Sequence, residues 1–506
     1  MELGTVIATE EGPSPGEFSF VVTMNGRAIP VRRGQFVELE TEEGKVIAFV
    51  TNVIKTNRYF MRAESVKEYE RGGRPLRSVF PADRWEYIIA DAKALGVQAE
   101  NGMERTSFPP SPGQKVYESD PTVLTHFLGL KSNGGVEIGQ LRYHDLSIKL
   151  DLTKLLRKHV AILSMSGGGK SYTSSVIIEE LLDRLPEEGR TAVVVIDVHG
   201  EYTNLAAPGG DTDYSNRSAV VRGGDIRIGV SNLSSRNFRE FVPDMSGEQA
   251  RELQLVLDEL RAEMRAGRGP FGLDEVIERV ERKDGLQKQL RGALLSWLFS
   301  LRSLGLFDKV DYPGWEGIVE PGKALVVDLS DVVNLHKKQL MVAYAARKLF
   351  NARKRDRVPP FVLCLEEAHQ FVPSENSISK GIIETIAREG RKFFASLMLI
   401  SQRPVRLSTT VLSQANTNII LRITNPYDLE HIKQSSECIT GEVADMISSL
   451  PVGEALIVGE AVNHPIFVKI RRRRSRESSH GMGLDEAARD FEKRNLRSRN
   501  DAKAFM

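Results

Sequence analysis

Cysteine is nearly absent from this chain: Cys364 and Cys438 are the only two in 506 residues. Cys364 lies inside an apolar run, so neither a disulfide framework nor a zinc site is expected, which places the chain in a reducing cytosol. Long hydrophobic runs are also missing. No apolar stretch approaches the roughly 18 residues that a bilayer span needs, and the opening Met1-Glu2-Leu3 starts no basic, signal-like segment. The expectation is a cytoplasmic protein without a membrane anchor. An excess of one charge is lacking as well. The 69 Lys and Arg against 68 Asp and Glu leave a net charge of +1, so any nucleic-acid contact has to come from a local patch. There is no convincing internal repeat or long low-complexity tract. An apolar content of 41% and a charged content of 27% are ordinary for a globular protein. The length exceeds one core and implies about three domains.

What is present is organised around Ser164-Met165-Ser166-Gly167-Gly168-Gly169-Lys170-Ser171. An apolar run from Val160 to Leu163 precedes it as a buried strand, and Tyr172 to Leu182 follows with helical spacing. Strand, glycine turn and helix form the context of a phosphate-binding loop. Consecutive glycines let backbone N–H groups face phosphate oxygens, and the helix N-terminus adds partial positive charge. Lys170 would reach the β and γ phosphates of ATP and the Ser171 hydroxyl would ligate Mg²⁺, with Ser166, Gly167, Gly168, Gly169, Tyr172 and Thr173 completing the cradle. The usual first glycine is replaced by Ser164.

From Lys149 onward, strands alternate with helices, which predicts a parallel sheet covered on both faces. Ala192 to Ile196 is a fully apolar, β-branched run, and it delivers Asp197, His199 and Glu201 at its carboxyl end, the edge where ligands bind in such sheets. Phe361 to Leu365 ends in Glu366 and Glu367. A buried strand ending in paired acids suits nucleotide hydrolysis, with Glu366 on the water shell of Mg²⁺ and Glu367 polarising the attacking water. Gln402, after the strand Leu397 to Ile400, is placed to sense the γ phosphate. Arg391 is the first candidate for an arginine reaching a neighbouring subunit's nucleotide, followed by Arg403 and by Arg422, which is read within a strand Ile419 to Ile423.

The flanks carry less chemistry. Short alternating runs (Val6–Ala8, Phe18–Met24, Phe36–Leu39, Val46–Val53), punctuated by turns such as Asn25-Gly26, predict a small N-terminal β-barrel, with further strands at Tyr87–Ala90 and Val136–Leu141. Ser246-Gly247-Glu248-Gln249 is a capping box. After it, Leu253, Val256, Leu257, Leu260 and Met264 share a helix face, and Leu286, Leu290, Leu294, Leu298 and Leu301 form a second stripe, so a helical bundle is inserted in the sheet. Arg471-Arg472-Arg473-Arg474-Ser475-Arg476 opens a basic tail, read as an arm on the next subunit with DNA contact as the alternative. The turn Pro373 to Lys380 is either a DNA-gripping loop, through Lys380, or an ordinary exposed loop.

Together these stretches resemble the HerA branch of the HerA–FtsK family of DNA-translocating ATPases. The resemblance rests on Ser166 to Ser171, Ile196-Asp197-Val198-His199-Gly200-Glu201-Tyr202, Leu365-Glu366-Glu367-Ala368-His369, Glu389-Gly390-Arg391-Lys392 and Ser401-Gln402-Arg403-Pro404. It implies an α/β fold with a RecA-like P-loop ATPase core, an N-terminal HAS-type barrel (residues 1–145), a core in two parts (146–235 and 321–470), an inserted bundle (236–320) and a C-terminal brace (471–506). It further implies a hexameric ring, ATP-driven pumping of double-stranded DNA and a NurA-type nuclease partner in end resection. Glu366 stands where the family commonly has aspartate. A ring ATPase of the same superfamily for conjugative or secretion transport, or a nucleotide-controlled assembly scaffold, are the alternative readings.

Overall fold

The computed structural model describes residues 1–9, 12–23, 31–57, 60, 63–71, 85–99, 102–435, 439, 441–477, 485–486, 488–489 and 491–493. Cys438, the Asn25-Gly26 turn and most of the tail beyond Glu477 lie outside these. The chain forms two compact units. One is Met1–Asp151 with Cys438–Ser449 and Glu454–Ile470; the other is Leu152–Glu437 with Leu450–Gly453 and Arg471–Met506. The second sheet-core segment expected over 321–470 is therefore divided, its last two strands grouping with the N-terminal unit.

The first unit contains a closed antiparallel barrel. Its strands are β1 (Glu2–Ile7), β2 (Glu17–Val22), β3 (Phe36–Thr41), β4 (Gly44–Asn57), β5 (Glu86–Ala99), β6 (Gly102–Glu104) and β7 (Lys115–Glu118). They run in the order β2-β1-β7-β3-β4-β5, and β2 pairs with β5 to close the ring while β6 adds to β5. The alternation read from the sequence fills the interior. Phe18, Phe20 and Val22 of β2 point inward onto Leu3, Val37 and Val50, and their neighbours point out. Register shifts at Ile47/Ala48 and Val50/Asn52 bend the long β4–β5 pair, which is how so small a barrel closes. Val136–Leu141, expected as a barrel strand, instead forms β8. It pairs with β9 (Ser147–Leu150) and with the strand Ile466–Ile470, which in turn pairs with Glu454–Gly459.

The second unit is built on a parallel sheet of β10 (Val160–Leu163), β11 (Ala192–Asp197), β12 (Ser218–Arg222), β13 (Ala324–Asp328), β14 (Phe361–Leu365), β15 (Ala395–Ser401) and β16 (Thr417–Ile420). Spatially they run β12-β13-β11-β14-β15-β10-β16, every neighbouring pair parallel. The inner strands are buried at every residue, as strands covered on both faces must be. Helix α1 (Lys170–Asp183) follows the glycine turn. The inserted bundle comprises α2 (Ser235–Phe241), α3 (Gly247–Glu263), α4 (Leu273–Arg282) and α5 (Lys288–Ser303). Ser246 caps α3 by accepting from the Gln249 N–H at 3.1 Å, while Gln249 accepts the Ser246 N–H at 2.9 Å. Leu253, Val256, Leu257 and Leu260 of α3 and Leu294, Leu298 and Leu301 of α5 are the buried stripes. Met264 is only half-buried, because α3 loosens there into a π turn that includes Gly267, φ +101°. Helices α6 (Leu335–Lys354) and α7 (Lys380–Glu389) complete the elements used below. Among the described residues no helix is long and apolar enough to cross a membrane.

The start of the basic block after Ile470, Arg471 to Ser475, packs within its own chain. Glu179 of α1 is fully buried. It accepts from Arg471 Nη1 (2.9 Å), the Arg474 N–H (3.0 Å), the Ser475 N–H (2.8 Å) and Ser475 Oγ (2.7 Å). Arg471 and Arg474 also pair with Glu180, Arg474 pairs with Asp183, and the Arg473 N–H donates to Tyr172 Oη at 2.7 Å. These partners lie on one stripe of α1, and burying a carboxylate without such donors is costly. Arg472 alone of the four faces outward, its side chain 84% exposed.

Candidate active site

The glycine turn lies at the carboxyl edge of the sheet, tied to the ends of both strands flanking β10. The Ser164 N–H donates to Ser401 O (3.2 Å) and the Met165 N–H to Arg422 O (3.0 Å). Gly167 and Gly169 take φ of +73° and +95°, which residues with side chains rarely adopt. Open space lies where a Gly167 Cβ would be, as a concave phosphate cradle requires. Ser164 explains its own presence. It is fully buried, its Oγ donates to Met165 O at 2.9 Å, and a Cβ on Gly168 would meet that Oγ at 1.9 Å. The serine thus fills the room that a glycine at position 168 leaves. Lys170 Nζ donates to Met165 O at 3.5 Å. Ser166 is exposed and Ser171 half-buried. Tyr172 and Thr173 are turned away: Tyr172 Oη accepts the Arg473 N–H, and Thr173 Oγ1 donates to Gly169 O at 2.9 Å.

Asp197 ends β11 and Glu366 follows the last residue of β14, and these strands are neighbours in register Ile196 to Leu365. The two carboxyls are consequently adjacent and buried. Asp197 accepts from the Gly200 (2.7 Å), Glu201 (3.1 Å) and Tyr202 (2.8 Å) N–H groups; Glu366 Oε2 accepts from those of Val198 (2.6 Å) and His199 (3.2 Å). Burial raises both, and the charge on Asp197 pushes Glu366 further, up to about 9. The Asp197 carboxylate is fully engaged in folding the 198–202 turn. It positions His199, which is exposed, and Glu201, which is half-buried.

Glu367 is the outlier of the site. It sits at φ +46°, a left-handed conformation for a residue with a side chain, which aims its carboxyl away from the strand direction. It is buried, and burial raises its pKa against the pull of Lys170, His199 and the Gln402 N–H. Among the described residues its Oε2 has no hydrogen-bond partner. His369 Nδ1 lies 3.2 Å away, at an angle that makes no hydrogen bond to it, and bonds Ser401 Oγ at 3.3 Å. Burial and the charges of Arg403, Arg406 and Lys170 take His369 down to about 4, so its ring is neutral near pH 7.

The structure therefore gathers the glycine turn, Glu366, Glu367, His199, Glu201 and the half-buried Gln402 at one edge. Arg403 is exposed beside them, its N–H donating to Ser401 Oγ at 3.1 Å. Strand β16 ends at Ile420 and not at Ile423, so Arg422 lies past it, exposed, with its carbonyl holding the glycine turn. Arg391 is elsewhere. It precedes β15 and lines a cavity of about 390 Å³ together with Phe361, Phe394 and Ser396, residues at the amino ends of the strands. The seven residues of β15 span about 20 Å, so Arg391 lies at the opposite edge from its own chain's turn. In the Pro373–Lys380 turn, Lys380 Nζ donates to Ser374 O (2.6 Å) and Glu375 O (3.0 Å), closing its own loop.

Three residues escaped the sequence reading. Tyr202 is fully buried, with its hydroxyl 2.7 Å from Ser174 Oγ, and so locks the 198–202 turn to the first turns of α1. Lys338 is a buried lysine on α6. Burial lowers its pKa, while Glu366, Asp331, Asp328 and Asp197 pull it up. Its signal was present, since Lys338 falls in the stripe with Met341, Val342 and Ala345. His369 was visible only as the end of a quoted motif.

The family described as "Helicase HerA, central domain" matches residues 136–349. The chain is 29% identical to the DNA double-strand break repair helicase HerA of Pyrococcus furiosus over 92% of this chain and 89% of that one. It is 28% identical to the protein of the same name from Saccharolobus solfataricus, covering 87% of this chain and 88% of that. Among solved structures, VirB4 of Thermoanaerobacter pseudethanolicus has the same core fold, with a TM-score of 0.53 at 17% identity over 68% of this chain and 98% of that one.

Proposed function

Since this chain belongs to the HerA branch of the HerA–FtsK family of P-loop ATPases, we propose that it hydrolyses ATP to move along and unwind double-stranded DNA in break repair. The observation that carries the reading is Glu367: a buried carboxylate beside the glycine turn, with one oxygen free of any protein donor. A general base needs that free lone pair. The double-strand break repair helicases, to which the chain is similar over about nine-tenths of its length, support the substrate.

The donor set fits nucleotide and Mg²⁺. A cradle of backbone N–H groups opens at the N-terminus of α1, and the oxygens beside it are the hard donors that Mg²⁺ takes. Bound Mg²⁺ would supply charge neutralisation on the β and γ phosphates. Ser166 to Gly169 and Lys170 bind and orient the phosphates; the Ser171 hydroxyl and, through water, the Glu366 oxygen not used by Val198 and His199 hold the ion. Glu367 accepts the proton of the attacking water. Gln402, just past the end of β15, senses the γ phosphate.

Arg391 is too far from its own glycine turn to serve it, which favours assembly into a ring where it meets the nucleotide of the next copy. We assign that ring as a hexamer, with a NurA-type nuclease docking on the N-terminal barrel. The test is hydrolysis by the full chain. Lys170→Ala should lose ATP binding, and Glu367→Gln should bind ATP and not turn it over. Full turnover in both variants would remove this site from the reaction.

A further inference from the structure

His159 immediately precedes β10. It is buried and takes φ +66°, a left-handed conformation that costs a residue with a side chain. Both of its ring nitrogens are engaged with segments far along the chain. Nδ1 accepts the Leu397 N–H of β15 at 2.9 Å, and Nε2 lies 2.9 Å from Ala387 O of α7. An amide N–H can only donate and a carbonyl can only accept, so the two contacts fix one neutral tautomer, with the proton on Nε2. Burial favours the neutral ring as well.

Ala387 lies in the last turn of α7, where carbonyls run short of helical donors, and the His159 Nε2–H supplies one. One turn further on is Arg391, exposed, in the short 3₁₀ turn Gly390–Lys392. That turn has little room to move: a Cβ on Gly390 would meet Ala395 O, at the start of β15, at 2.2 Å. On its far side, Arg353 Nε donates to Phe393 O at 2.9 Å. The arginine turn is thus held before and after Arg391, and His159 provides the hold before it.

We propose that His159 is a positioning residue for Arg391: by joining Ala387 O to the Leu397 N–H, it sets the end of α7 and so the point from which Arg391 reaches a neighbouring copy's nucleotide. The proposal rests on the assignment of Arg391 to the next copy made above. It adds a residue that touches no nucleotide and acts only through where the arginine turn stands. A group misplaced by about 1 Å in such a site loses about 100-fold in rate.

The test uses the full chain. His159→Asn suits the left-handed backbone and can accept the Leu397 N–H, but its shorter amide falls short of Ala387 O. His159→Gln reaches as far as Nε2 and keeps that donor. The Asn variant should hold its Tm and lose about 10- to 100-fold in kcat with KM within about twofold, and the Gln variant should recover most of the rate. The defect must also be repairable by a neighbour. Rings co-expressed from His159→Asn and Glu367→Gln, purified through a tag on each, pair an intact base with an intact arginine at about one interface in four. They should rise toward about a quarter of the unmodified rate, several-fold above either parent. An unmodified kcat in His159→Asn overturns the proposal. So do mixed rings no faster than the mean of their parents, because the defect then lies in the variant's own nucleotide site or fold. Arg391→Ala mixed with Glu367→Gln checks the reading beneath it: no loss in Arg391→Ala alone, or no recovery on mixing, refutes the assignment of Arg391 itself. Should no His159 variant fold, the ring ¹⁵N shifts of the unmodified protein decide. A bare Nδ1 with Nε2–H supports the two contacts, and Nδ1–H overturns them.

Discussion

Replacing Gly168 by alanine isolates why this phosphate loop begins with serine. The Gly168 backbone is not in the left-handed region, so alanine costs nothing conformationally; the cost is a Cβ placed 1.9 Å from Ser164 Oγ. That is roughly 1.5 Å closer than a comfortable contact. The next obstacles, Met165 O at 3.2 Å and Ser164 Cβ at 3.3 Å, need only small adjustments. Overpacking of this kind costs about 1–3 kcal/mol. Ser164→Ala alone loses the bond from Oγ to Met165 O, worth about 1 kcal/mol. Combined, the two changes should relieve each other, because the second substitution removes the atom with which the first collides. A double-mutant cycle in urea should then give a coupling of about 1–3 kcal/mol in the favourable direction, and ATP affinity should recover in parallel. Equal destabilisation by Gly168→Ala in the unmodified chain and in the Ser164→Ala variant would refute the packing account.

Glu367→Gln should retain ATP binding and lose about 10²- to 10⁴-fold in turnover, measured by steady-state hydrolysis beside nucleotide titration. Glu179→Ala strands Arg471, the Arg474 N–H and Ser475 and should destabilise the chain by about 3–5 kcal/mol, whereas Arg472→Ala should stay within about 0.5 kcal/mol; thermal melts of both decide. The Glu366 carboxyl is raised from 4.5 to about 9, so the folded state binds more protons than the unfolded one. Its contribution is full below pH 4.5 and is lost as pH rises toward 9. Nucleotide-free protein should therefore lose Tm between about pH 5 and 9. Glu366→Gln, permanently neutral with an oxygen for Val198 and His199, should flatten that slope; an unchanged slope would remove Glu366 as its source.

Local patterns were legible and long-range pairings were not. Ala192–Ile196 and Phe361–Leu365 announce buried strands because every residue is apolar, and the acids after them lie at the ligand edge for the same reason. The stripes of α3 and α5, and the Ser246 cap, follow from spacing alone. Val136–Leu141 alternates like a barrel strand, yet its partner Ile466–Ile470 lies far along the chain, and alternation names no partner. The cis packing of Arg471–Ser475 depends on Glu179, one acid among 68, recognisable only once α1 presents it. Asp197 was read as a residue of the ligand edge and Glu366 as the acid on the Mg²⁺ water shell. That Asp197 pushes the Glu366 carboxyl up follows from the neighbouring register of β11 and β14, which alternation alone does not reveal.

The central claim is that ATP hydrolysis here is coupled to duplex DNA. Its most direct test is the ATPase rate of full-length protein of known solution mass, with and without linear double-stranded DNA, using Glu367→Gln as the control. Strong stimulation by the duplex in a hexamer-sized species, absent from the control, is the expected result. A rate indifferent to DNA over the full range of protein and DNA concentration would contradict it.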